Sequence, residues 1–359
     1  MKKTNEFSLP RIGATQIKLL EKLSNACAVA GDEGEVRKIV LEQIGPHADE
    51  VNVDALGNVL AYHRGTGEKR LRVMVAAHMD EVGFMITADD GDGFYRFDVV
   101  GGVDAYKLVG KAVLIGKEHI PGVIGIKPVH LTNAEERKRP VELEALRIDI
   151  GPAAGKVKVG DRATFATRFT QLGPSLCGKA LDDRLGVATL IELLKNAPPH
   201  IDLLAAFTVQ EENGLRGARV ASFALMPDLA FVLDATPAHD LPTWDGSENA
   251  RYNSRLGMGP AIYVADTSAL HDPRLVRHLM VTADTFGIPY QIRQPGGGGT
   301  DAGAIHKQRA GIPSVSISVP TRYLHSPASI ARLADWQNDL ALVQAALLRL
   351  TPDLLKETR

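Results

Sequence analysis

Apolar and polar positions alternate along this chain with two different periods, and the periods divide it into three stretches. In the first, Leu19, Leu20, Leu23 and Ala26 share one face of a 3.6-residue repeat, which predicts a helix over 15–30 with Gly31 as its stop. A second helix is expected over 33–44, ended by Gly45-Pro46. VNVDALGNVLAYHRG alternates on both sides of Gly57-Asn58 and reads as a hairpin. Residues 71–77 form an apolar run with β-branched members, the pattern of a buried parallel strand, and His78 follows it. The second stretch, about 84 to 168, has another texture. FMITADD, GFYRFDVV, KAVLIG, GVIGIKP and ATFATR are short β-rich runs split by Gly, Pro and Asp, and helical patterns are scarce outside the charged NAEERKR.

The third stretch restores the α/β rhythm. LDDRLGVATLIELLKNA is amphipathic and ends before Pro198-Pro199. LLAAFTVQ (203–210) predicts a buried strand with Glu211-Glu212 at its end. A helix over 214–225 and a strand over 229–235, ending in Asp234, follow. Asp272-Pro273 opens another helix, Asp as cap and Pro in the first turn. Strand IPYQIR, loop QPGGGGTDAGAIH, strand PSVSISVP, His325 and a helix over 330–350 complete the chain. The expected fold is α/β, a mixed central sheet flanked by helices, discontinuous over 1–84 and 172–359. The β-rich unit, 85–171, would be a small barrel-like insertion.

Composition narrows the function classes. The chain has 359 residues, 45% hydrophobic and 23% charged, with a net charge of -2. That balance gives no bulk attraction to nucleic acid or to an anionic membrane. No apolar run reaches the ~20 residues that span a bilayer. MKKTNEFSLPRIG has lysines but no apolar core behind them, so a secretory signal is not expected. Cys27 and Cys177 make no disulfide framework, and a cytoplasmic location with reduced thiols is the expectation.

Candidate chemistry collects at strand ends. His78, Glu211, Glu212, Asp234 and His325 each lie at or just after the carboxyl end of an expected strand, and Asp182 starts a helix. One sheet rim would gather all six, and ligands bind at such rims. Imidazoles and carboxylates together suit zinc, cobalt or manganese. Two ions with three protein ligands each and one shared carboxylate need five residues, leaving one carboxylate as general base. The pair Glu211-Glu212 fits that division, one member binding and the other moving protons. Asp80, two residues from His78, is better placed behind the imidazole, accepting its other N–H. Asp183 and Arg184 would hold the local loop by a salt bridge. The Gly-rich loop 296–299 lacks the Lys-Ser/Thr of a phosphate loop and suits a close backbone approach to substrate or a tight turn beside the metals.

AHMDEVGF (77–84), KALDDRLG (179–186), VQEENGLRGA (209–218), VLDATP (232–237), GGGTDAGAIH (297–306) and VPTRYLHSP (319–327) occur in that order. With them the chain resembles the tetrahedral aminopeptidases, co-catalytic metallopeptidases that include glutamyl and deblocking aminopeptidases. The resemblance implies a zinc-aminopeptidase-like fold and two divalent ions, zinc foremost. It implies His78, Asp182 (bridging), Glu212, Asp234 and His325 as metal ligands, Glu211 as base and Asp80 as support. It further implies short peptides as substrates, dimerisation through the insert, and assembly of dimers into a dodecamer. The stretch AVAGDEGEVRKIV departs from the family by lacking its Pro-Ser turn. His306 competes with His325 as the late ligand. A related deacylase or carboxypeptidase would carry its second domain after the Glu pair, whereas this insert precedes Asp182. A non-catalytic shell would be favoured by loss of Glu211, which is present.

Overall fold

The computed structural model describes residues 9–151, 157–243, 245 and 253–359. The expectation about a secretory signal falls partly on 1–8 and so lies partly outside the described residues, as does 152–156 of the expected insert.

An 11-stranded mixed sheet forms the frame. Its central strands, in spatial order Asp202–Thr208, Arg72–His78, Leu229–Pro237 and Ser314–Arg322, run parallel. Strands buried on both faces need apolar side chains in succession. Val73, Val75 and Ala77 accordingly pack on one face with helices Ala14–Asn25, Gly34–Ile44, Leu181–Lys195, Pro273–Phe286 and Leu333–Arg349. Met74 and Ala76 pack on the other with helices Arg216–Leu225 and Ala302–Ile305. Each Leu, Ile or Val buried in this way stabilises the fold by roughly 1.5–3 kcal/mol. The hairpin Glu50–Val53 and Val59–His63 lies at one sheet edge, where Asp54 accepts the N–H groups of Leu56, Gly57 and Asn58 and fixes the turn.

Six strands between Gly83 and Phe165 close into a barrel, in the order Gly83–Gly91, Phe94–Val100, Arg147–Asp149, Ile120–Gly125, Ala112–Ile115 and Arg162–Phe165. Closure removes exposed strand edges. Phe84 sits at its centre, edge-on to Phe97 at 5.2 Å and to Phe165 at 5.3 Å. Thr170–Leu172 pairs with Ser175–Gly178 at the edge of the large sheet.

Several expected elements differ in extent. The first helix stops at Asn25 instead of residue 30. Beyond it, the Cys27 N–H donates to Glu35 and the Ala28 N–H to Glu81, while Val29 bridges Glu81. Carboxylates thus take the donors that another helical turn would need. The strand at 229 continues to Pro237, because its register with Ser314–Arg322 extends that far. The final helix starts at Leu333, since Ser329–Arg332 is a strand paired with Ser175–Gly178. NAEERKR yields one short turn at Glu136–Lys138, where Asn133 and Glu136 bond each other's backbone N–H.

Candidate active site

The parallel register assembles the site. His78 ends its strand opposite Thr208, whose strand leads on to Glu211 and Glu212. Pairing of Val232 with Ala76 brings Asp234 to the level of His78. His325 follows the strand Ser314–Arg322, and Asp182 lies in the first turn of the helix Leu181–Lys195. The Asp182–Asp183 peptide bond is cis. Ala180, Gln210, Leu215, Tyr323 and His325 all hold left-handed φ, between 51° and 62°. Such conformations in residues other than glycine cost about 1–3 kcal/mol each and persist where surrounding structure enforces them.

Two donor groups result, each with its ligand atoms within 4.8 Å of one another, and Asp182 belongs to both. In one, His78 Nε2 lies 3.2 Å from Asp182 Oδ1 and 3.8 Å from Asp234 Oδ1. In the other, His325 Nε2 lies 3.2 Å from Glu212 Oε2 and 3.6 Å from Asp182 Oδ2. Both imidazoles are turned the same way. His78 Nδ1 meets the Asp80 carbonyl oxygen at 3.2 Å, and His325 Nδ1 meets that of Gly102 at 2.9 Å. A carbonyl only accepts, so Nδ1 carries the proton in the neutral ring and Nε2 presents a lone pair to the carboxylate side. His306 stands outside both groups, its Nδ1 on Ala302 O at 2.7 Å.

Asp80 does more than sequence reasoning expected of it. Its carboxylate is 3.6 Å from His78 Nδ1, and it also accepts the N–H of Glu211 at 3.0 Å and of Glu212 at 3.1 Å. One buried carboxylate therefore ties the imidazole loop to the Glu pair. Arg184 does not pair with Asp183. It reaches Leu23 O, Met79 O, Asp80 O and the Glu81 carboxylate, which Lys179 also grips at 2.7 Å. Asp183 instead accepts the N–H of His78 at 3.3 Å and of Gly186 at 3.0 Å. Sequence reasoning gave no role to Asp301, although it lies within GGGTDAGAIH. It is buried, and its Oδ2 accepts from Thr208 at 2.5 Å. Nor did it identify Gly102, whose carbonyl reaches His325 from across the chain. No local pattern marks such a contact.

The electrostatics are those of a cation site. Burial raises Asp234 to about 7, with the Asp182 carboxylate adding to it, and raises Asp301 to about 6. Burial, then the charges of Asp234, Glu212 and Asp301, lift Glu211 well above the usual range against the opposing His78. Burial disfavours charged imidazoles, yet Asp182, Asp234 and Asp80 hold His78 well above its ordinary value. Asp182 and Glu212 likewise override burial and lift His325 to about 11. The carboxylates outnumber the imidazoles, so the site draws positive charge from whatever can supply it. Two His-carboxylate groups sharing one Asp fit a pair of divalent ions, and nitrogen and oxygen donors of this kind suit zinc, cobalt or manganese.

Beside these groups lies a cavity of about 730 Å³, lined by Glu211, His325, Tyr263, Arg293, Gly296 to Gly299 and, from the barrel side, Asp104 and Lys107. A cleft of that size holds a small peptide end.

A model of the M42 glutamyl aminopeptidase family matches residues 57–342. The lysyl aminopeptidase of Pyrococcus furiosus is 33% identical over 93% of this chain and 97% of its own length. The glutamyl aminopeptidase of Lactococcus lactis subsp. cremoris is 30% identical over 95% and 98%. Among solved structures, a Pyrococcus horikoshii TET1 peptidase, described as able to assemble into a tetrahedron or a large octahedral shell, superposes with a TM-score of 0.82 at 34% identity, covering 93% of this chain and all of that one. No helix among the described residues is long and apolar enough to cross a membrane. The chain belongs to the M42 glutamyl aminopeptidase family, and it is a metal-dependent aminopeptidase.

Proposed function

We propose that this aminopeptidase works with two divalent ions, zinc foremost and cobalt or manganese as alternatives. His78 and Asp234 would hold one, Glu212 and His325 the other, and Asp182 both. The observation that carries this reading is the pair of donor groups with Asp182 in common. When bound, the ions supply Lewis acidity and a water of lowered pKa. Glu211 would accept the proton of the attacking water as the water's oxygen adds to the first peptide carbonyl. It returns the proton to the departing amine nitrogen as the C–N bond breaks. Asp80 keeps Glu211 and Glu212 in place through their backbone N–H groups. The acidic rim favours the free α-ammonium of a peptide over an internal bond.

The side-chain preference follows from Arg293. Arg293 is 4% exposed, and its guanidinium stacks on Tyr263 at 4.5 Å and donates to Thr236 Oγ1, Gln294 O and Gly297 O. No carboxylate among the described residues forms an ion pair with it. A buried cation on the pocket wall without a counter-charge favours an acidic N-terminal residue. Short peptides in the cytoplasm are the proposed substrates. Residues 85–171 would form the unit through which subunits dimerise, and dimers would close into a dodecamer.

The test is a panel of aminoacyl-p-nitroanilides assayed with zinc, cobalt and manganese. Metal-dependent release with glutamyl and aspartyl substrates foremost supports the reading. Activity that survives complete chelation overturns it. Light scattering of the full chain tests the shell, since a species of 38.6 kDa would refute assembly.

A further inference from the structure

Another donor cluster lies outside the active site. Cys27 is in the extended segment after the first helix, and Glu35 is in the first turn of Gly34–Ile44. His119 occupies the barrel turn between Ala112–Ile115 and Ile120–Gly125. One ligand atom from each lies within 4.8 Å of the other two. Glu35 is fixed from both sides: one oxygen accepts the Cys27 N–H at 2.9 Å and the other lies 2.5 Å from His119 Nε2. Each carboxylate oxygen keeps a second lone pair. Beside Cys27 and Glu35 opens a cleft of about 370 Å³, which leaves room for a water as a further ligand.

We propose that Cys27, Glu35 and His119 bind a transition-metal cation, zinc or cobalt in type, that clips the barrel to the N-terminal segment of the α/β unit. A thiolate, an imidazole and a carboxylate select such ions over magnesium or calcium, which prefer oxygen alone. Ligand distances of about 2.0–2.3 Å require donors about 3–4 Å apart, within reach of side-chain rotation from the present spacing. Burial pushes the Cys27 thiol up to about 11, so the cation must displace its proton. Three basic side chains line the cleft, and of these Lys38 and Lys117 are exposed to solvent. Lys117 is 88% exposed and leans toward Asp32, while Arg162 donates to Gly160 O and Ala30 O. The clip has a structural consequence. The Cys27 segment continues through Ala28 to the Glu81 carboxylate, and Glu81 adjoins Asp80. Occupancy would stiffen the joint between the barrel and the loop that carries Asp80.

The site is separable from the catalytic one by its sulfur, because none of the proposed catalytic ligands is a thiolate. The full-length protein, stripped with a chelator, is titrated with cobalt while the near-ultraviolet and visible spectrum is followed. A sulfur-to-cobalt charge-transfer band is expected in wild type. It should vanish in Cys27→Ser and persist in Cys177→Ser. In His119→Ala the cobalt concentration needed for half the band should rise by at least about tenfold. Bound metal per subunit should fall by one in Cys27→Ser, with peptidase activity retained. A wild-type titration that fills the catalytic site without any thiolate band overturns the proposal. So does a band that survives Cys27→Ser, or one whose titration is unchanged in His119→Ala.

Discussion

The sheet rim and the barrel are both built from strands, yet they treat charge in opposite ways. At the rim, His78, Asp80, Asp183, Asp234 and Asp301 are buried together, and several backbones there hold left-handed φ. Within the barrel, Thr164 is the single buried polar residue among those described between Gly83 and Phe165, and it bonds the Glu81 carboxylate at 2.8 Å. Burying unpaired charge costs several kcal/mol per group. A fold carries that cost where an ion or a reaction offsets it, and the barrel has no such offset. The rim gathers charge, and the barrel is built on apolar packing.

Glu211→Gln tests the rim most severely. It should retain its metals while kcat falls by about 10²–10⁴-fold, the usual value of general-base catalysis. Steady-state kinetics beside metal analysis decides it, and a variant keeping half of wild-type activity would remove Glu211 from the base role.

Phe84→Ala is the corresponding cut in the barrel. Deleting a buried ring edge-packed on two others should destabilise by about 3–5 kcal/mol, read by denaturant unfolding. The contrast between the two regions predicts that the folded variant keeps its metals. Loss of metal binding in folded Phe84→Ala protein would show the two regions to be one unit.

Asp80→Asn should cost about 10–100-fold in metal affinity or activity, less than His78→Ala, because Asp80 acts through the groups it holds. Equal metal loss in the two variants would make Asp80 itself a ligand.

A pH-dependent effect lies away from both regions, at Asp339. Burial raises its carboxyl to about 8, with Thr189 as its partner opposing that rise. The unfolded chain ionises this group near 3.8, so folding binds a proton between about pH 4 and 8 and stability falls as pH rises through that window. Asp339→Asn should therefore raise Tm relative to wild type near pH 8 and approach it near pH 4. A pH-independent difference would mean that Asp339 is ionised in the folded state.

Much of this was legible in the chain itself. The runs 71–77, before His78, and 203–210, before Glu211, read as buried strands because residues covered on both faces must be apolar, and order along the chain then put the polar residues at one end. The contrast in texture between 84 and 168 marked a β-rich stretch for the same reason. What stayed hidden depends on partners distant in sequence. Ser329–Arg332 becomes a strand through its pairing with Ser175–Gly178, and no local period reveals that. The grip of Lys179 and Arg184 on Glu81, and of Gly102 on His325, joins segments about 100 to 220 residues apart, which only tertiary packing brings together. The shortened first helix has the same cause, since its would-be donors are captured by Glu35 and Glu81.

The central claim is that Asp182 is shared between two ions at the rim. Anomalous diffraction from crystals soaked in cobalt tests it most directly. The account expects two peaks at the rim about 3.5–4 Å apart, one against His78 and Asp234, the other against Glu212 and His325, both in contact with Asp182. A single rim peak at full cobalt occupancy, or two peaks with Asp182 touching only one of them, would contradict it.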